Sequence, residues 1–103
     1  MVLLEFSLAP MDKGQSVSPY VARCLSIIDS SGLDYRLHAM GTIIEGELEE
    51  VLDVFKRCVE ALGEDCDRIT GSAKLDFRRG YRGRLETKVD SVEQHLGKRL
   101  KSI

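Results

Sequence analysis

"DYRLHAMGTIIEG", residues 34–46, is the stretch on which the fold turns. Tyr35 and Leu37 alternate with Arg36 and His38. After a turn at about Ala39–Gly41, Thr42 and Ile44 alternate with Ile43 and Glu45. A period of two on both sides of a turn predicts a β-hairpin. Simple alternation also places Thr42 and Glu45 on opposite faces of the second strand.

A helix is predicted on each side of this hairpin. Upstream, "SPYVARCLSIIDSSG" carries Ser18 as a candidate N-cap and Pro19 at the first helical position, where a missing N–H does no harm. Val21, Cys24, Leu25 and Ile28 form its apolar stripe, and Gly32 ends it. Downstream, "ELEEVLDVFKRCVEALGED" places Leu48, Val51, Leu52, Phe55, Val59 and Leu62 at steps of three and four, with Cys58 beside them and Gly63 as a stop. Glu47, Glu49 and Glu50 suit a first turn, where negative charge meets the positive end of the helix dipole. Glu45 precedes Gly46 and belongs to the strand, so the dipole accounts for it less well.

Strands bracket the two helices. "VLLEFSLAP" puts Val2, Leu4, Phe6 and Leu8 on one face, and Pro10 closes the run. "MDKGQSV" reads as a loop. A strand is expected over Arg68–Arg78, with a bulge near Gly71. A last helix is expected over Asp90–Leu100, with Asp90 and Glu93 as a capping box and Val89, Val92, Leu96 and Leu100 as its apolar face. The order is β-α-β-β-α-β plus a C-terminal helix: an α+β, ferredoxin-like sandwich. Residues 1–103 are expected to form one domain.

Composition limits the function. The chain has 103 residues, 43% of them hydrophobic, and a net charge of −2 with both signs dispersed. No basic field for nucleic acid is evident. The strongest basic run, "DFRRGYRGR" at 76–84, lacks the aromatic pattern of an RNA-binding sheet. No apolar stretch approaches the ~20 residues that span a bilayer. Glu5 interrupts the short apolar start, so no signal peptide is expected and the expected location is cytoplasmic. Cys24, Cys58 and Cys66 include no CxxC, and His38 and His95 have no second histidine at ligand spacing. No metal, cofactor or catalytic residue is therefore assigned. The chain holds no asparagine, which counts against an acylphosphatase-like hydrolase on this fold. Lys74, Asp76 and Arg78 alternate along the final strand, as a charged ladder at a subunit contact would.

Taken together, "EFSLAPM", "SVSPYV", "YRLHAMGTIIEGE" and "KLDFRRG…KVDSV" resemble, in that order, the YkoF-like family of thiamine-binding proteins over about Leu3–Val92. The resemblance implies a ferredoxin-like fold and a dimer or homotetramer in which the long final strands build extended sheets. It implies a non-enzymatic role in binding thiamine or its hydroxymethylpyrimidine precursor. By the same resemblance Ser7, Ser18, Met40, Thr42 and Glu45 fall at the ligand-binding positions. A carboxylate and a hydroxyl suit an aminopyrimidine's donor and acceptors, and a thiazolium cation would favour a nearby carboxylate. Six aromatic side chains are few for a stacking site. The alternatives are an oligomeric structural or regulatory module without a dedicated ligand, and a small hydrolase on the same fold.

Overall fold

The computed structural model describes residues 1–14 and 16–102; Gln15, in the expected loop, lies outside them. The elements are β1 (Val2–Pro10), α1 (Ser18–Ser30), β2 (Asp34–His38), β3 (Gly41–Gly46), α2 (Leu48–Gly63), β4 (Ile69–Phe77) and α3 (Arg84–Leu96). The sheet order is β2-β3-β1-β4, and all neighbours are antiparallel. Each helix crossover therefore joins two parallel strands with a third strand between them. This is the ferredoxin-like arrangement expected from the hairpin.

The side-chain period divides the sheet into two faces. Val2, Leu4 and Phe6 from β1 and Ile44 from β3 point toward α1 and α2. There they meet Cys24 and Ile28 from α1 and Val51, Val54, Cys58 and Leu62 from α2. Phe6 meets Phe55 edge to face, with ring centres 5.2 Å apart. Leu3, Glu5, Ile43 and Glu45 point the other way, and α3 covers part of that side.

Several boundaries differ from expectation. Ser18 is the first residue of α1 rather than its cap; Val17 holds the cap position and its carbonyl accepts from the Tyr20 and Val21 amides. In α2 the buried stripe is Val51, Val54, Cys58 and Leu62, so Cys58 is central to it. Leu48, Leu52 and Val59 form a second, exposed stripe. The helix carries apolar residues over more than one face, and spacing alone does not say which face meets the sheet.

β4 pairs with β1 without a break from Val2↔Phe77 to Pro10↔Ile69, so no bulge occurs at Gly71. Glycine there answers a different need, because a Cβ would lie 2.3 Å from the Ser7 carbonyl oxygen. α3 begins at Arg84, six residues before the expected start. Gly83 precedes it at φ 70° and Gly97 ends it at φ 73°, both in the left-handed region that glycine enters freely. Arg84 and Leu85 are its buried residues, while Val92 and Leu96 are exposed.

Candidate functional site

At one end of the sheet the helix-side core opens into a cavity of about 220 Å³. Its walls come from the second half of β1, the tip of the β2–β3 hairpin and the inner face of α1. The local sequence explains the opening. β3 pairs with β1 only as far as Phe6↔Thr42, and the hairpin then turns at Ala39–Met40. β1 runs on to Pro10 alongside β4. The strand beside β1 thus stops short, and α1 roofs the gap with Val21, Cys24, Leu25 and Ile28.

The expected site residues separate into three groups. Thr42 is buried on the cavity wall, and Met40 stands at the lip, 84% exposed. Ser7 reaches the cavity through its backbone; its side chain shares the opposite face with Glu5, where a smaller pocket also holds Ser72 and Lys74. Ser18 does not line the cavity, although the preceding Val17 does. Glu45 lies outside it, on the other side of the sheet. Thr42 and Glu45 do point apart, as alternation requires.

Glu45 is 5% exposed, and its Oε2 accepts the Arg84 backbone N–H at 3.0 Å. The carboxylate thus sits at the N-terminus of α3, where an unpaired amide and the helix dipole both favour negative charge. Arg84, 3% exposed, donates from Nη1 to Asp76 Oδ2 at 3.0 Å and from Nη2 to the Asp76 carbonyl at 2.8 Å. Lys88 Nζ reaches the same Oδ2 at 2.9 Å. Lys88 and Arg84 together hold the Asp76 carboxyl below its ordinary range. Asp76 thus pairs within the chain, with Arg84 and Lys88 of α3.

Cys24 and Cys58 lie side by side where α1 meets α2, and Cys58 Sγ is 3.7 Å from the Cys24 carbonyl. The neighbouring Cys24 side chain and burial push the Cys58 thiol up. Cys24 is the one that faces the cavity. Val21, Cys24, Leu25 and Ile28 have in sequence the spacing of a helix core, and nothing in that spacing separates a core stripe from a cavity wall. Among the described residues no group of three His, Cys, Asp or Glu side chains is placed to hold a metal ion. Nor is any described helix long and apolar enough to cross a membrane.

Fold and cavity together define a small ferredoxin-like α+β protein with an apolar recess between its sheet and first helix. The chain belongs to the thiamine-binding protein family, which matches residues 4–93. It is 35% identical to the UPF0045 protein MJ1052 of Methanocaldococcus jannaschii over 88% of this chain and 91% of that one. It is 38% identical to the UPF0045 protein sll0230 of Synechocystis, over 92% of this chain and 79% of that one. The crystal structure of MJ1052 superposes with a TM-score of 0.83 at 34% identity, covering 90% of this chain and 96% of that one. A Thermotoga maritima structure described as a candidate thiamine biosynthesis or salvage protein has a TM-score of 0.77 at 24% identity, covering 88% and 97%. That likeness is one of fold alone.

Proposed function

We propose that this is a non-enzymatic, cytoplasmic small-molecule binding protein of YkoF-like type, and that its ligand is thiamine or the hydroxymethylpyrimidine part of it. The observation that carries the reading is the cavity. Among the described residues it is lined mostly by apolar side chains, holds one buried hydroxyl, that of Thr42, and has no carboxylate, lysine or arginine on its walls. At about 220 Å³ it is smaller than the roughly 300–1,000 Å³ of sites for drug-sized ligands. A single substituted ring fits that size better than the whole of thiamine. The pyrimidine would enter, and the thiazolium would remain near Met40 at the lip. Thr42 and Met40, with the Ser7 backbone, serve this site; Ser18 and Glu45 serve it only by supporting α1 and the sheet.

Calorimetric titration with thiamine and with hydroxymethylpyrimidine tests this. Binding of either, weakened by filling the cavity through Cys24→Phe, is the expected result. Absence of heat with both ligands would sink the proposal.

A second reading concerns assembly. β4 is an edge strand of nine residues, with Leu75 44% and Phe77 55% exposed. Leu48, Leu52 and Val59 are exposed on α2 as well. An unpaired edge beside apolar side chains invites pairing with another strand. We take the occupant to be a second copy of this chain, giving a dimer or tetramer. Light scattering on the native protein and on Leu75→Lys would separate this from a monomer: the native mass should be a multiple of the chain mass and the variant's should fall.

A further inference from the structure

The cavity has a polar element that no side chain supplies. In β1 the backbone groups of successive residues point alternately toward β3 and β4. The Phe6 carbonyl oxygen faces β3, since a Cβ on Gly41 would lie 2.9 Å from it. The Ser7 carbonyl faces β4, 2.3 Å from where a Cβ on Gly71 would stand. Leu8 is therefore the next residue whose N–H and C=O both face the β3 side. The β1–β3 register ends at Phe6↔Thr42, so Leu8 would next pair with Met40. Met40 lies in the turn, and its N–H donates to His38 Nδ1 at 3.2 Å. Because Nδ1 accepts, the ring proton sits on Nε2, which lies 3.3 Å from Glu5 Oε2. Among the described residues neither Leu8 backbone group has a partner across this gap.

We infer that the Leu8 N–H and C=O form the recognition edge of the cavity, pairing with a planar ring that carries an exocyclic amine beside a ring nitrogen. The inference rests on the reading of the cavity as the ligand site and adds what selects the ligand there. The ring nitrogen accepts from the Leu8 N–H while the amine donates to the Leu8 carbonyl, in place of the missing strand. Leu8 lines the apolar recess, and a backbone group enclosed there by a ligand would need a partner on it. A ligand that lacks the amine leaves the carbonyl without a partner. A site built to meet a donor discriminates strongly against the analogue lacking it.

The test compares hydroxymethylpyrimidine with its deamino analogue, which has hydrogen in place of the amine. The readouts are calorimetry and the amide signals of the isotopically labelled full chain. The expected result is at least a tenfold weaker affinity for the deamino compound. The Leu8 amide signal should also shift and exchange more slowly with solvent only when the amino compound is bound. Equal affinities, or an unmoved Leu8 signal while the Thr42 and Ile28 methyls shift, would overturn the inference and leave the cavity as the site. If neither compound perturbs the protein, the reading of the cavity falls and the inference with it.

Discussion

Thr42 and Glu45 stand three positions apart on β3, and the two sides of the sheet treat their polar atoms in opposite ways. On the helix side, Thr42 is buried beside a cavity whose walls are mostly apolar side chains. On the other side, Glu45 is equally buried but has a partner, the first amide of α3, within a network of Arg84, Asp76 and Lys88. Buried polarity on its own does not identify a site. On one face it closes a structural joint; on the other it stands beside an apolar cavity.

The residue between them sets the scale. Ile44 is fully buried in the helix-side core, on the strand that carries both Thr42 and Glu45. Ile44→Ala should lower stability by about 2–5 kcal/mol. Urea unfolding would measure it, and both faces should be lost in the same transition. Separate transitions for the cavity and for α3 would mean that the sheet does not couple its two sides.

Glu45→Ala comes next. It removes the acceptor from the Arg84 amide and leaves buried Arg84 less well balanced, so a loss of about 1–3 kcal/mol is expected. Glu45→Gln, which keeps an acceptor, should lose less. Ligand affinity should change little in either variant. A fall in affinity that matched the fall in stability would break the contrast between the faces and return Glu45 to the binding site.

Thr42→Val tests the other face. The swap keeps the shape and removes the hydroxyl, so stability should move by no more than the roughly 0.5–1.5 kcal/mol of one hydrogen bond. Ligand affinity should fall roughly three- to tenfold, the equivalent of one hydrogen bond of about 0.5–1.5 kcal/mol. Unchanged affinity in calorimetry would leave Thr42 as a wall residue only.

The element order was legible because it depends on local patterns: two helical periods, a hairpin and two flanking strands. The division of the faces was legible too, since alternation alone separates Thr42 from Glu45. The start of α3 was not. The chain turns at Gly80 and Gly83 and enters the helix with an arginine, a residue that sequence patterning assigns to solvent. Arg84 is buried because its amide meets Glu45, 39 positions earlier, and its guanidinium meets Asp76 across a turn. Neither meeting leaves a local signal. Of the positions the resemblance implies, Thr42 and Met40 line the cavity, but no residue type marks where β3 stops short of the end of β1.

The smallest effect expected is a dependence on acidity at the α3 joint. Lys88 and Arg84 hold the folded Asp76 carboxyl below its value in the unfolded chain, near 3.9. A depressed folded pKa contributes stability above the unfolded value, and that contribution disappears as pH falls through the folded one. Native protein should therefore melt at a higher temperature than Asp76→Asn near neutral pH, with the gap closing below about pH 4. Asp76 is well exposed, so added salt should narrow the gap as well. Helix-sensitive melts at several pH values would measure it. Ligand binding at the cavity should not follow the same curve, because no group of this network lines it. A gap that stayed constant with pH would mean that shape, rather than charge, fastens α3 to the sheet.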